Sequence, residues 1–210
     1  MTPVVRTLLF ANVAVYVLQN FAGDFLLLNF ALWPLGSHYI PGAGRVGFEP
    51  WQLITSAFLH GGFAHIALNM YALYIFGGMV ERTLGSNRFA ILYFASVITG
   101  SLAQLTVVTM SLDQGVAPTI GASGGVFGVL LAFAALFPHS RVLLIFPPIP
   151  MKAWVLVAGY AAIELFSGVL GTSQGVAHFA HLGGMLGAAI VLVAIGFRSR
   201  QQPRGDIRGP

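Results

Sequence analysis

Residues 121–137 read GASGGVFGVLLAFAALF, a stretch that contains no charged side chain and ends immediately before Pro138. An α-helix needs about 20 mostly apolar residues to cross the hydrocarbon core of a membrane, and this stretch is nearly that long. Its one serine, Ser123, stands near the start, and polar groups inside a membrane are functional candidates because they are costly to place there. The stretch therefore predicts a short membrane helix with a candidate functional residue near one end.

The composition of the whole chain agrees with this interpretation. Of its 210 residues, 57% are hydrophobic and only 8% are charged, and the mean hydropathy is +0.83. A water-soluble domain carries about 25% charged residues, so this chain has too few charges to build a water-facing surface. It contains no cysteine, which excludes disulfide bonds and thiolate metal sites. We expect the lipid bilayer to be the solvent for most of the protein.

Five further stretches are apolar enough to cross the bilayer. The six predicted membrane helices cover residues 4–23, 53–80, 89–109, 121–137, 154–170 and 175–197. The long loop at 24–52 mixes aromatic residues with glycine and proline, which suits the membrane interface. Residues 198–210 are polar and rich in arginine, and we expect a disordered basic tail there. The predicted fold is an all-α, polytopic bundle of six transmembrane helices formed by residues 1–197.

The basic residues are distributed unevenly between the two ends of the predicted helices. Nine of the ten Lys and Arg residues fall on one side, namely Arg6, Arg82, Arg88, Arg141, Lys152, Arg198, Arg200, Arg204 and Arg208. Only Arg45 falls on the other. Cytoplasmic loops are enriched in these residues, so we expect both termini in the cytoplasm. The net charge of +4 follows from this pattern and does not indicate binding to nucleic acid.

Three of the predicted helices carry polar side chains near their start. These are His60, His65 and Asn69 in the second helix, Ser123 in the fourth, and His178 and His181 in the sixth. In the orientation above, all three helices begin on the external side. At a rise of 1.5 Å per residue, the polar groups then lie roughly 5–15 Å below the external surface. We expect them to come together at one depth.

A serine, an imidazole and amide donors at one depth suit acyl transfer. A serine hydroxyl needs a base to accept its proton, and neutral imidazole is the usual one. The tetrahedral intermediate needs hydrogen-bond donors for its oxyanion. His65 and Asn69 lie four residues apart and share a helix face, and the N–H of Ser123 near a helix start is a further candidate donor.

Small residues predict how the fourth and sixth helices meet. Pairs of small residues four apart let membrane helices approach each other closely, and the pairs here are Gly124 with Gly128, Gly183 with Gly187, and Gly184 with Ala188. We expect the two helices to touch there, which would bring Ser123 to His181. Phe127 lies one turn beyond Ser123 and is expected to pack on the imidazole.

These motifs resemble those of the rhomboid family of intramembrane serine proteases. Residues 121–124 (GASG) resemble its G-x-S-G nucleophile motif, and His60, His65 and Asn69 resemble its second-helix pattern. Residues 180–184 (AHLGG) resemble its A-H-x-x-G motif in the sixth helix, and residues 78–85 (GMVERTLG) resemble the end of its second helix. The likeness extends in order from about residue 51 to residue 187, and this ordered set is highly specific.

The resemblance implies a set of roles for individual residues. Ser123 would be the nucleophile and His181 the base, with the oxyanion held by His65, Asn69 and the amide of Ser123, and with Gly121, Phe127 and Gly184 in support. No cofactor or metal is implied. The substrates would be single-span membrane proteins cut near the external face. The compact chain resembles simple bacterial members of the family, which implies a location in the plasma membrane. The sequence indicates no oligomeric state.

Several residues depart from this pattern or fall outside it. The family often carries Trp-Arg in the first loop, and this chain has Trp51-Gln52, so we expect that loop to be held differently. No third member of a catalytic triad is evident. Glu164 is interpreted as a helix-packing partner, His178 as a bystander and His60 as a structural loop residue.

Two other functions remain open from the sequence. A metal-dependent membrane protein could use His65, His178 and His181 as zinc ligands, although the chain has no His-Glu-x-x-His motif and no carboxylate is expected near these histidines. A catalytically inactive rhomboid-like protein could bind membrane clients without cutting them. Such a protein would be expected to have lost Ser123 or His181, and both are retained.

Overall fold

The computed structural model describes residues 1–42, 44–110, 116–143, 148–171 and 177–196, and these residues form a bundle of helices. Its long helical segments are α1 (Pro3–Phe30), α3 (Phe63–Ala72) continued through a π-helical turn (Leu73–Gly77) into α4 (Gly78–Leu84), α5 (Ser86–Met110), α6 (Ser123–Leu136), α7 (Ala153–Leu170) and α8 (His178–Ala194). A short helix, α2 (Gln52–Thr55), and a 3-10 turn (Ser56–Phe58) precede α3. The all-α architecture is as predicted.

Four of these helical segments are long and apolar enough to cross a membrane, namely Pro3–Phe30, Phe63–Leu84, Ser86–Met110 and Ala153–Leu170. The helices α6 and α8 are also apolar but shorter. A 14-residue helix such as α6 is about 21 Å long, which is less than the roughly 30 Å of the hydrocarbon core. By length alone, α6 is too short to cross the full hydrocarbon core. The six-span count stays a prediction.

The predicted helix boundaries were wrong at two places. The first helix does not end at residue 23 but continues to Phe30, past a break at Ala22, whose backbone angles (φ −137°, ψ 35°) are not helical. The second helix does not start at residue 53, because α2 and the 3-10 turn occupy residues 52–58 and α3 begins at Phe63. Residues 53–59 are as apolar as the helix that follows, so hydropathy did not separate them.

The loop after α1 contains strands that the sequence did not predict. Strand β1 (Ser37–Ile40) pairs antiparallel with β2 (Gly44–Gly47), with Ser37 opposite Gly47 and Ile40 opposite Gly44. A second small hairpin pairs β3 (Arg141–Leu143) with β4 (Pro150–Lys152) between α6 and α7. The predicted tail at 198–210 and residues 175, 176 and 197 of the sixth predicted helix lie outside the described residues.

Gln52 stands where the family often has arginine, and its side chain holds the first loop together. The side chain is almost completely buried. Its Oε1 accepts hydrogen bonds from the backbone N–H groups of Trp33 (3.2 Å) and Glu49 (3.1 Å), and its Nε2 donates to the carbonyl of Gly47 (3.3 Å). Gln52 therefore ties the end of the β1–β2 hairpin to the chain that leaves α1.

The centre of the bundle is formed by α5, α6 and α8, which pack through small residues. A Cβ atom on Gly183 would lie 2.7 Å from the carbonyl oxygen of Thr99, and one on Gly187 would lie 2.9 Å from that of Ala95. These two glycines of α8 therefore face α5, and not α6 as predicted. The adjacent Gly184 packs on α6, where its position leaves no room for a Cβ beside the carbonyl of Gly124.

At the other end of the bundle, Glu81 of α4 binds the first turn of α1. Its two carboxylate oxygens accept hydrogen bonds from the N–H groups of Val4 (3.0 Å) and Val5 (2.9 Å), and Ser86 Oγ donates to Oε1 (2.7 Å). A carboxylate at a helix N-terminus satisfies N–H groups that have no partner in the helix and complements the helix dipole. This contact fixes α1 against the end of α4.

Candidate active site

Ser123 is the first residue of α6, and the chain leading into it is held by backbone hydrogen bonds. The N–H of Thr119 donates to the carbonyl of Leu32 (2.9 Å), the N–H of Leu32 donates back to Thr119 (3.0 Å), and the N–H of Gly121 donates to the carbonyl of Ser56 (2.9 Å). Gly121 has φ +132°, a conformation that side-chain-bearing residues rarely adopt. These contacts fix the position of Ser123 relative to the first loop.

The hydroxyl of Ser123 lies against the imidazole of His181. The Oγ atom of Ser123 is 2.8 Å from Nε2 of His181, within hydrogen-bonding distance. The two residues are 58 positions apart in sequence and come from α6 and α8, which meet at Gly124 and Gly184. The structure thus brings together the serine and the histidine that the sequence singled out.

The imidazole of His181 is also held by aromatic stacking. The ring of Phe127 lies nearly parallel to it, with centroids 4.1 Å apart and an interplanar angle of 5°. The ring of Tyr160 in α7 packs edge-on against the ring of Phe127, with the two centroids 5.9 Å apart. The stacked phenyl ring restricts the rotation of the imidazole and covers one of its faces.

His65 and Asn69 of α3 are the predicted oxyanion donors. A Cβ atom on Gly121 would lie 2.8 Å from Nε2 of His65 and 3.7 Å from Oγ of Ser123, so the absence of a side chain at Gly121 lets the imidazole of His65 approach the serine. Asn69 is buried and donates one N–H of its amide to the carbonyl of His65 (3.0 Å). An amide carries two N–H donors, so this bond occupies only one of them.

His60 is buried beside these residues. Its ring packs edge-on against that of His65, with centroids 5.0 Å apart. Its backbone N–H and carbonyl both bind the side chain of Gln19 in α1, at 3.0 and 3.1 Å. Burial and the neighbouring His65 lower the pKa of His60 from 6.5 to about 4, so the ring is neutral at physiological pH. His60 therefore joins α1 to the imidazole of His65, and its structural role stays a prediction.

The part of the chain that forms this candidate site is also the part that matches known proteins. Residues 47–198 match the family model described as the rhomboid domain, which includes α6, α8 and the residues gathered around Ser123. The chain belongs to the rhomboid family. This rhomboid is an integral membrane protein, as its long apolar helices and its family both indicate.

Relatives of this rhomboid occur among fungal, bacterial and plant proteins. It is 44% identical to rhomboid protein 1, mitochondrial, of Saccharomyces cerevisiae over 104 residues, covering 50% of this chain and 30% of that protein. It is 33% identical to rhomboid protease GluP of Bacillus subtilis over 151 residues, covering 70% of this chain and 26% of that protein. RHOMBOID-like protein 12, mitochondrial, of Arabidopsis thaliana is 31% identical over 207 residues, covering 91% of this chain and 58% of that protein. The matches to the yeast and Bacillus relatives thus span less than a third of those proteins.

Glu164 of this rhomboid joins α7 to α8 as a helix-packing partner, as predicted, but two other expectations about the histidines were wrong. The sequence predicted no carboxylate near the histidines, yet Oε2 of Glu164 lies 2.6 Å from Nδ1 of His178 and 3.0 Å from Nδ1 of His181. All three side chains are buried. His178 is therefore not a bystander but a partner of the carboxylate beside His181. The one signal in the sequence was a lone acidic residue in the middle of an apolar helix, which is a functional candidate in a membrane.

A small cavity lies behind the serine of this rhomboid. Its volume is about 20 Å³, enough for one water molecule. Among the residues that line it are Ser56, Ser101, Thr119 and Ser123, which supply polar groups for such a water. Within the described parts of the chain, no group of three potential ligands is placed to hold a metal ion.

Proposed function

We propose that this rhomboid is an intramembrane serine endopeptidase that cuts membrane-spanning segments through an acyl-enzyme on Ser123. The proposal is carried by the 2.8 Å contact between Oγ of Ser123 and Nε2 of His181. A nucleophile and a base within this distance are the signature of nucleophilic catalysis. Relatives named as rhomboid proteases, among them GluP of Bacillus subtilis, support the same reaction class.

The two residues divide the chemistry between them. Oγ of Ser123 bonds to the scissile carbonyl carbon while its proton passes to Nε2 of His181. The proton then moves to the leaving amine as the peptide C–N bond breaks, which leaves the acyl group on Ser123. A water molecule, deprotonated by His181, hydrolyses this ester and releases the carboxylic acid. The 20 Å³ cavity behind Ser123 is a suitable position for that water.

The oxyanion of the tetrahedral intermediate needs donors on the side of Ser123 away from the imidazole of His181. Ser123 is the first residue of α6, and the first N–H groups of a helix have no acceptor within it. The N–H of Ser123 is thus one donor. His65, brought close to Ser123 by Gly121, and the second amide N–H of Asn69 are the others. Donors that are fixed in advance stabilise the transition state without reorganisation.

The position of the site within the helical bundle supports a membrane-borne class of substrate. Substrates have to reach Ser123 through the bilayer, so single-span membrane proteins are the expected class. By the distribution of Lys and Arg, both termini face the cytoplasm and the site opens to the external side. We place the protein in the plasma membrane of a bacterium, although two of the relatives above are mitochondrial.

Cleavage of a transmembrane reporter by the purified, reconstituted protein tests the proposal. Ser123→Ala and His181→Ala should both abolish cleavage, and a fluorophosphonate probe should label the wild type but not Ser123→Ala. Ser96→Ala and His139→Ala are matched controls that should retain activity, since the buried Ser96 hydroxyl only donates to the carbonyl of Leu92 and His139 is exposed.

The same experiment separates the alternatives. Capture of the reporter without cleavage by the wild type would indicate an inactive, client-binding protein. Cleavage that survives Ser123→Ala and is lost on adding a chelator would indicate metal-dependent hydrolysis. Either result would reject the Ser123–His181 dyad.

A further inference from the structure

Glu164 is an acidic residue in the middle of α7, and only 7% of its surface is exposed. A carboxylate in the interior of a membrane protein is expensive unless it is paired and hydrogen-bonded. Its Oε2 atom accepts a hydrogen bond from Nδ1 of His178 at 2.6 Å. The same oxygen lies 3.0 Å from Nδ1 of His181, a buried nitrogen that makes no other polar contact with the described residues.

This arrangement has a direct consequence for the protonation of His181. A neutral imidazole carries its hydrogen on one ring nitrogen and offers a lone pair on the other. A carboxylate oxygen beside Nδ1 favours the tautomer with hydrogen on Nδ1, because only that tautomer avoids placing two lone pairs against each other. Nε2 is then an acceptor, and it is the atom that faces Oγ of Ser123. Glu164 thus favours the form of His181 that can act as a base.

We propose that Glu164 is a positioning residue that turns the Ser123–His181 pair into a three-residue Ser–His–Glu arrangement. The inference rests on the proposed serine-protease function and extends it, because the resemblance to the family implies only a dyad. Glu164 does not touch the substrate. When the proton of Ser123 reaches Nε2, His181 becomes an imidazolium, and the carboxylate stabilises that charge while the Nδ1 hydrogen stays on His181.

His178 has a defined part in this arrangement. It lies one helical turn before His181 on α8 and turns its own Nδ1 to the same oxygen of Glu164. A carboxylate oxygen accepts more than one hydrogen bond, so His178 can hold the carboxylate while Glu164 remains beside His181. Around His181 the other groups are Ser123 and the ring of Phe127 from α6, and no other carboxylate of the described residues lies within ion-pair distance.

A purely structural role is the competing explanation. The pair of Glu164 with His178 joins α7 to α8, and a clamp of this kind would affect stability and not the chemistry of His181. The two roles differ in what they change. Removing a positioning residue lowers kcat with little effect on KM and alters the tautomer of His181. Removing a structural clamp lowers the melting temperature, and turnover falls only as far as the folded fraction of the protein falls.

The test compares Glu164→Gln with Glu81→Gln, the matched change at another buried glutamate, far from Ser123. Each variant is purified at full length, and its melting temperature, KM and kcat are measured with a transmembrane reporter. For Glu164→Gln we expect kcat to fall roughly 10²- to 10⁴-fold, the scale on which losing the carboxylate partner of a catalytic histidine acts, with KM near that of the wild type. Glu81→Gln should lose stability but keep its kcat at temperatures where it is folded.

A spectroscopic measurement completes the test. With ¹⁵N-labelled histidine, the ring nitrogens of His181 should report hydrogen on Nδ1 in the wild type and a mixture of tautomers in Glu164→Gln. Wild-type kcat in Glu164→Gln, or an unchanged tautomer, would overturn the proposal. If Glu164→Gln fails to fold, Glu164→Asp is measured in its place. This variant keeps the carboxylate but moves it away from His181 by the length of one methylene group. A lowered kcat in the folded Asp variant supports the proposal, and a wild-type kcat rejects it.

The experiments distinguish a failure of the Glu164 inference from a failure of the proposed function on which it rests. If Ser123→Ala is inactive and Glu164→Gln retains full activity, the protein is a serine protease with a dyad and only the present inference fails. If Ser123→Ala still cleaves, the proposed function itself fails, whatever Glu164→Gln does.

Discussion

Gly184 of α8 lies so close to Gly124 of α6 that a methyl group on Gly184 would overlap the carbonyl oxygen of Gly124. The two helices carry Ser123 and His181, and each of these residues lies within one turn of its glycine. The distance from Oγ to Nε2 is therefore set by a backbone contact between glycines and not by the flexible side chains alone. Membrane helices approach this closely only where both carry small residues.

Gly184→Ala should therefore separate the serine from the histidine. The added methyl group forces α8 away from α6, and a misplacement of about 1 Å is enough to cost roughly 10²-fold in rate. We expect at least that loss in kcat, together with a lower melting temperature. Gly159→Ala in α7 is the matched control, because a Cβ there meets nothing within 4 Å. Equal activity in the two variants would contradict the role of the glycine contact.

Asn69→Ala tests the proposed oxyanion donors of α3. Losing one such donor lowers kcat by about 10²- to 10³-fold in a known serine protease, and we expect a loss of one to three orders of magnitude here, measured as steady-state turnover of a transmembrane reporter. Asn12→Ala removes a buried asparagine of α1 that makes the same kind of bond, to the carbonyl four residues back. A kcat for Asn69→Ala that matches Asn12→Ala would remove Asn69 from the oxyanion site.

Gln52→Leu tests how the first loop is held. The change leaves the N–H group of Trp33 without its acceptor in a buried environment, and such a loss costs about 1–3 kcal/mol. The N–H group of Glu49, an exposed residue, loses its acceptor as well. We expect a clearly lower free energy of unfolding in chemical denaturation. Gln104→Leu is a suitable comparison, because no described residue donates to its buried Oε1. Similar stability in both variants would show that the Gln52 contacts contribute little.

His60 should make stability depend on pH. Its pKa is lowered from 6.5 to about 4 in the folded protein, so the unfolded chain binds the proton first as the pH falls. The unfolded state is then favoured progressively between pH 6.5 and about 4. The melting temperature of the wild type should drop more on acidification through this range than that of His60→Phe. His139→Gln, at an exposed histidine, should behave as the wild type does, and an equal drop in His60→Phe would refute the assignment.

Much of the fold was predictable because burial in lipid leaves a strong signal in the sequence. The all-α class follows from apolar stretches separated by Gly, Pro and charged residues. The meeting of α6 with α8 was predicted from their small residues, although Gly183 and Gly187 face α5. The choice of His181 over His178 came from the resemblance to the rhomboid motif. The start of α3 was missed because the residues before Phe63 are equally apolar, and only the backbone turn at the preceding glycines separates them.

The contacts of Glu164 could not be predicted from the sequence, for a different reason. Helix α7 is apolar on nearly all its faces, so its periodicity does not indicate which face meets the bundle. The distances along the chain to His178 and His181 carry no information either, since both lie on another helix. Which oxygen meets which nitrogen depends on how α7 is rotated against α8, and that rotation is decided by packing.

The bond between Glu81 and the first turn of α1 bears on how this protein is made. Glu81 follows Val5 by 76 positions, and a ribosome adds roughly 5–20 residues per second. Val5 is therefore added to the chain about 4–15 s before the carboxylate that accepts its N–H exists. This bond can form only after the second long helical segment has been synthesised.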